Sequence, residues 1–284
     1  MVLRTLDPYT NPHLKPPGAL RPLCDVLEAR AADHYQRLIR ERVMAAALRG
    51  LSNAAVLEVG SGTGAVARAL AQTAGVARVV GIDPSPTFVE HARELAAASG
   101  VRGVAFEEGS GGTLPRAWAG SFDVVVLWTV LIHVPPAEVP PILTEARCDL
   151  SPRGRIVLAD NDLAGWSLAT SAYDPLAPAL EWYIREHVPT PWLPRAFPQR
   201  LCEAGFVPGE LVIETVVDTE RGSFGHTHVV LRALHAFSAA GVVGPELALA
   251  MEAEVERRVD ASEFRVVLPY AVCTGRHRED EDPT

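Results

Sequence analysis

The sequence predicts an α/β fold: a mostly parallel sheet with an antiparallel C-terminal hairpin, an N-terminal helical cover and inserted helical segments. Three observations carry this. From Ala54 to Ala159 short apolar runs alternate with helical spacings, the pattern of βα crossover units. The first run, Val56-Leu-Glu-Val-Gly-Ser-Gly-Thr-Gly64, enters a glycine turn of the kind that lets backbone approach a ligand. Near the C-terminus two β-rich runs, 210–217 and 264–274, are separated by helical residues instead of continuing the parallel alternation.

Element by element, residues 7–22 hold five prolines and read as an extended arm. Residues 25–49 show one helical stripe through Val26, Leu27, Leu38, Ile39, Val43 and Leu48, stopped by Gly50. A strand follows at 54–59, then a helix from about Thr63, a strand at 78–82 and a helix after Pro86. Strands at 104–107 and 122–128 come next, then a crossover helix over 135–150, a turn at 151–154 and a fifth strand at 155–159. Residues 161–200 gather Trp166, Tyr173, Trp182, Tyr183, Trp192 and Phe197 among six prolines, more like a packed cover than a linker. Helical spacing returns at 228–239 and 245–259. The expected organisation is an arm and helical lid over 1–50, a sheet domain over 51–278 with insertions near 161–200 and 219–262, and a disordered, highly charged tail over 279–284.

The chain has 284 residues, 48% hydrophobic and 21% charged, enough for a full core. Net charge is −9 with no dense Lys/Arg cluster, which argues against nucleic acid and for a small-molecule partner. No apolar run suits a bilayer span or a signal peptide, so no membrane association and a cytoplasmic location are expected. Cys24, Cys148, Cys202 and Cys273 are scattered without zinc spacing, and no carboxylate spacing resembles a magnesium site, so no metal is expected.

The glycine turn leaves two cofactor chemistries open. Gly60-x-Gly62-x-x-Ala65 satisfies a dinucleotide fingerprint, and Asp83 closes the next strand where a carboxylate accepts ribose hydroxyls. Glu58 argues against a dinucleotide, because a carboxylate two residues before the first glycine repels a pyrophosphate, whereas a ligand bearing an ammonium group would partner it. The C-terminal hairpin argues the same way, since a dinucleotide fold continues with parallel units.

On Glu58, Gly60, Gly62, Gly64 and Asp83 the chain resembles the Rossmann-like class I S-adenosylmethionine-dependent methyltransferases, in particular the ubiquinone/menaquinone-type small-molecule methylases. The resemblance covers residues 54–160 well and the remainder loosely. It implies S-adenosylmethionine as cofactor, with Glu58 and the turn Gly60, Ser61, Gly62 and Gly64 at its methionine part and Asp83, followed by Pro84, at its ribose. The run Glu107-Glu-Gly-Ser-Gly-Gly-Thr-Leu-Pro115 resembles the loop that normally reads Gly-Asp-Ala-x-x-Leu-Pro, whose Asp takes the adenine amino group. Here that residue is Ser110, which leaves the ring to main-chain groups of Ser110 and Gly111 or to Glu108 as a substitute acid. Trp128 and Thr129, after the fourth strand, fall where the family lines the cofactor and the methyl-transfer position.

Methyl transfer is an in-line displacement for which the protein supplies alignment, exclusion of water and, for a protonated acceptor, a base. His133, just after the fourth strand, is the candidate base. Asp160 and Asp162 end the fifth strand at the edge where open α/β sheets bind ligands. Trp166 and Tyr183 from the cover, with His226 and His228 from the loop before 228–239, complete the candidate acceptor residues. The expected function is methylation of a small-molecule acceptor such as a specialised metabolite; the alternative keeps the fold and cofactor but catalyses a non-methylating reaction such as cyclisation. The helix at 25–49 suits either a lid or a homodimer contact.

Overall fold

A computed structural model describes residues 7–219 and 227–278. The alternation read from the sequence becomes β1 (Ala54–Val59), α3 (Ala65–Ala71), β2 (Val76–Asp83), α4 (Pro86–Ala98), β3 (Val104–Glu108), β4 (Phe122–Trp128), α5 (Val139–Asp149) and β5 (Leu150–Asn161). After β5 come α6 (Ala177–His187), α7 (Phe197–Glu203), β6 (Phe206–Pro208), β7 (Val212–Asp218), α8 (Thr227–Ala239), α9 (Pro245–Asp260) and β8 (Val266–His277). The strands form one sheet in the order β3-β2-β1-β4-β5-β8-β6, with β7 also paired to β8. Strands β1 to β5 are parallel, and β8 runs antiparallel to β5 on one side and to β6 and β7 on the other. The hairpin expected from 210–217 and 264–274 is therefore the β7/β8 pair. β6 was not anticipated, since three residues are too few to show a strand period.

β1 is buried along its whole length, as a central parallel strand should be. Val56 and Leu57 belong to cores on opposite faces of the sheet. One core includes residues of the helix His34–Ala47 and of α3, α4, α6, α8 and α9, the other residues of α5 and α7. Side chains such as Phe122 and Leu143, both buried, each contribute about 1.5–3 kcal/mol through removal from water.

The N-terminal region departs from the sequence expectation. The arm gives way to α1 (Pro17–Ala32), and α2 (His34–Ala47) starts separately at Asp33, whose carboxylate accepts the Gln36 amide at 3.0 Å. The single helix expected over 25–49 is thus two. A side chain that caps an orphan amide competes with helix continuation, and the apolar stripe does not register that break. The prolines do not keep the segment extended: Pro17 sits at the first helical position, where no amide bond is lost, and α1 tolerates Pro22 inside it at the cost of one helical bond. The turn expected at 151–154 is instead the irregular start of β5, where the register to β4 shifts between Phe122 and Val124.

The segment over 161–200 does cover the sheet edge. Its α6 packs on α8, and buried Asp174 meets Arg258 of α9 at 2.8 Å, which ties the segment to the C-terminal insertion. Among the described residues no helix is long and apolar enough to cross a membrane. The tail expected at 279–284 lies outside the described residues.

Candidate functional site

At the carboxyl ends of β1, β2 and β4 lies a cavity of about 500 Å³, closed from above by Tyr9 and by α1 and α2. Its floor is the glycine turn. Gly60, Gly62 and Gly64 all have positive φ, at 73°, 51° and 77°. The amides of Gly60 and Ser61 both donate to the Ile82 carbonyl at 2.8 Å, which fastens the turn to the end of β2. A Cβ on Gly60 would come within 2.6 Å of Val130 Cγ2. Gly64 does not face the cavity: a Cβ there would run into Phe106, so this residue lets α3 lie close on the sheet and takes no part in the lining.

Glu58 lines the cavity, and its Oε2 has no hydrogen-bond partner although the residue is only 2% exposed. Burial pushes its carboxyl up to about 8, against the pull of the Ala67 amide and the Arg40 guanidinium. Asp83 accepts from the Gly62 amide at 2.8 Å through Oδ2 and from the Ser85 amide at 2.9 Å through Oδ1. Burial outweighs those two bonds and raises it to about 6. Pro84, Ser110, Gly111, Trp128 and Thr129 also line the cavity. Ser110 is exposed, and its hydroxyl has only a long contact of 3.5 Å from the Gly112 amide.

An orphaned carboxylate at one end, a second carboxylate beside it and a glycine floor fit the amino-acid and ribose parts of S-adenosylmethionine. Glu58 would hold the ammonium, Asp83 the ribose hydroxyls, and Glu108 to Gly111 would border the base.

Thr129 has φ 56°, a strained conformation for a β-branched residue. Its amide is tied to the Ala159 carbonyl at 2.7 Å, and its hydroxyl donates to the Trp128 carbonyl and accepts from Arg30 Nη2 at 2.6 Å. The chain then turns through Leu131–His133. His133 Nδ1 lies 2.8 Å from Asp7 Oδ2. Asp7 is buried and also takes the Thr10 hydroxyl at 2.6 Å and the Tyr9 amide at 3.2 Å. Burial alone would raise the Asp7 carboxyl, but the charge and hydrogen bond of His133, with those two donors, hold it below its ordinary value. An ionised Asp7 accepts the Nδ1 proton, which leaves Nε2 as the ring's free acceptor.

A smaller pouch of about 70 Å³ adjoins the cavity and shares Tyr9, Arg30 and His133 with it. Trp166, Tyr183 and His228 line this pouch, beside Asn161 and Arg232. Asp160 lines neither space: it accepts the Ile132 and Asn161 amides at 3.2 and 3.0 Å, bracing the turn that carries His133. Asp162 lines neither space and is bound to Arg195 at 2.7 Å. Asp160 is thus engaged by backbone amides, whereas Asp162 gives Oδ2 to Arg195 and keeps a buried Oδ1 without a partner; neither borders the cavity or the pouch. Tyr173 and Trp192 are exposed, and Trp182 packs on Phe237. His226 lies outside the described residues.

The residues that sequence reasoning missed are Asp7, Tyr9, Arg30, Arg40 and Arg232. None sits in a motif. Asp7 and His133 are 126 positions apart, and the only local signal is the Asp7 turn, whose carboxylate takes the Tyr9 amide and the Thr10 hydroxyl.

A family profile described as a methyltransferase domain matches residues 56–154, the stretch from β1 into β5. Over those residues the chain is similar to a methyltransferase domain. Erythromycin 3''-O-methyltransferase of Saccharopolyspora erythraea is 34% identical over 162 residues, covering 55% of this chain and 51% of that protein. The release factor glutamine methyltransferase of Vibrio cholerae is 29% identical over 154 residues, covering 47% and 51%. The chain thus spans about half the length of the curated relatives it matches.

Among solved structures, the YcgJ protein of Bacillus subtilis aligns with TM-score 0.55 and 17% identity over 84% of this chain and 98% of its own. A Bacillus halodurans protein assigned as a methyltransferase aligns with TM-score 0.57 and 20% identity over 84% and 97%. These likenesses are of fold. The methyltransferase domain contributes the cavity floor, whereas Asp7, Tyr9, Arg30 and Arg40 precede it and Trp166, Tyr183, His228 and Arg232 follow it.

Proposed function

We propose that the protein is an S-adenosylmethionine-dependent methyltransferase acting on the hydroxyl of a small-molecule acceptor. The observation that carries the cofactor half is the buried Glu58 carboxylate, left without a partner for Oε2 in the same cavity as Asp83. A dinucleotide offers that oxygen no cationic N–H donor, and the ammonium of S-adenosylmethionine does. When bound, the cofactor supplies an electrophilic methyl group.

This chain's residues do the rest. Glu58 and Asp83 hold the two ends of the donor, and the strained Thr129, clamped by Arg30, fixes the backbone where donor and acceptor meet. Tyr9 and α1 exclude water from above. His133, which borders both spaces, takes the acceptor's proton at Nε2, and Asp7 holds the ring in the tautomer that allows this. A base with an orienting carboxylate suits an acceptor that loses a proton on transfer. The S. erythraea relative, named as an O-methyltransferase, supports that reading. Because the two relatives are named for acceptors as unlike as an antibiotic and a release factor, what they share with this chain is best read as the donor half.

Calorimetry with S-adenosylhomocysteine tests the cofactor assignment. Wild type should bind, and Asp83→Ala should bind at least tenfold more weakly, as expected for loss of hydrogen bonds to a charged acceptor. No binding by wild type, or equal binding by both, would sink the assignment. A transferred labelled methyl group in a product then separates methylation from cyclisation.

A further inference from the structure

We infer that the acceptor carries an acidic group, a carboxylate or an equivalent anion, which enters the pouch between Arg30 and Arg232. This rests on the methyltransferase reading, since it takes the pouch beside His133 as the acceptor's place. Arg30 comes from α1 and Arg232 from α8, so the two guanidiniums approach the pouch from opposite covers. Both charges act on the Tyr9 hydroxyl, and Arg232 also acts on the Tyr183 hydroxyl, which borders the same pouch. Among the described residues neither arginine forms an ion pair; Arg30 Nη2 is spent on the neutral Thr129 hydroxyl.

Among the described residues Asp7 is the one carboxylate that lines the pouch, and its oxygens are already engaged by His133, Thr10 and the Tyr9 amide. Lys15 adds a third positive charge nearby, with Nζ on the carbonyls of Asp7 and Pro8. Asp160, behind the turn, is turned to the Ile132 and Asn161 amides. The result is a cationic recess in a chain whose net charge is −9.

The remaining walls are apolar or aromatic: Ile132, Leu163, Trp166, Tyr183 and Ile184. Beside such walls an arginine fork discriminates between a carboxylate and a neutral isostere, because charge-assisted hydrogen bonds are stronger than neutral ones and apolar surroundings weaken screening by water. A pouch of about 70 Å³ suits a carboxylate with a few carbons rather than a whole ring. The acceptor's acidic end therefore sits there, and its hydroxyl lies at the shared wall, against His133.

The test uses matched acid and amide pairs on three scaffolds: benzoate with benzamide, cinnamate with cinnamamide, octanoate with octanamide. Each is titrated into the full-length protein saturated with S-adenosylhomocysteine and read by intrinsic tryptophan fluorescence. The acid should bind about tenfold or more tightly than its amide. Arg232→Gln and, separately, Arg30→Gln should each remove most of that preference, with the melting temperature reporting that the variant folds. Equal binding of acid and amide, a preference that survives both substitutions, or no binding by any acid would overturn the inference. Saturation with S-adenosylhomocysteine is measured first, so loss of the cofactor reading is seen separately from loss of the acidic-acceptor reading.

Discussion

Glu58 should couple cofactor binding to proton release. In the empty site its carboxyl is raised to about 8, so at pH 7 about nine-tenths of the molecules carry it protonated. The cofactor's ammonium needs the ionised form, so binding at pH 7 must expel nearly one proton. Apparent affinity is then about tenfold weaker at pH 7 than the limiting value, a cost of roughly 1 kcal/mol, and about a hundredfold weaker at pH 6. Asp83, raised to about 6, adds a second proton below that pH and steepens the slope.

The sign follows from the direction of the shift. A carboxyl whose folded value is raised stabilises the empty protein below the ordinary carboxylate range, and that stabilisation is lost as pH rises through about 8. S-adenosylhomocysteine should therefore raise the melting temperature more at pH 8 than at pH 6. Calorimetry with this ligand from pH 6 to 8, in buffers of different ionisation enthalpy, counts the protons directly. Between pH 7 and 8 the expected slope of log affinity falls from about +0.9 to about +0.5 per pH unit for wild type and is near zero for Glu58→Gln, in which only the Asp83 contribution near pH 6 remains. A flat wild-type profile, or a slope that persists in Glu58→Gln, would refute the reasoning.

Four further outcomes follow from the structure. His133→Ala should lower kcat by about 10²- to 10⁴-fold with S-adenosylhomocysteine affinity unchanged. Asp7→Asn should give an intermediate kcat loss at little cost in KM, because the Asn amide can donate to Nδ1 and shift the ring proton to Nε2; an unchanged kcat would remove Asp7 from the mechanism. Gly60→Ala, at φ 73° and with Val130 in the way, should cost at least about 1–2 kcal/mol in a denaturant melt and weaken ligand binding. Arg258→Ala leaves buried Asp174 unpaired and should cost about 3–5 kcal/mol. Burial pushes Asp174 up, but Arg258, Thr170 and the Leu176 amide outweigh it and hold the carboxyl at about 2. That stabilisation is present above the ordinary carboxylate range and fades as pH falls from about 4 towards 2, so the wild-type melting temperature should drop there more than that of the variant.

What was legible in the sequence follows from the range of the forces involved. β1, its glycine turn and Asp83 were readable because adjacent residues share one buried strand or one turn, so a period of two and a run of glycines report them. The β7/β8 pair was readable for the same local reason, although 47 residues separate Val266 from its partner's end at Asp218 only as sequence distance. The break at Asp33 was not, since a single cap decides it while the apolar stripe continues on both sides.

The acceptor side was illegible because its polar groups are chosen by contacts made across the fold. Asp160 and Asp162 stood at the right strand end, yet backbone amides and Arg195 claim them. Asp7 stood in an arm with no pattern, yet it is the residue that meets His133. The same contrast bears on how such a site diverges. The donor floor depends on backbone geometry that tolerates few substitutions, whereas Asp7, Arg30 and Arg232 sit on covers that precede or follow the domain stretch 56–154. Changing Asp7 or Arg232 alters the acceptor's surroundings without touching Glu58, Gly60 or Asp83. Grafting the pouch residues Arg30 and Arg232 should therefore transfer acid preference only onto a chain that also keeps the Thr129 clamp, because Arg30 reaches the pouch while bound to that hydroxyl.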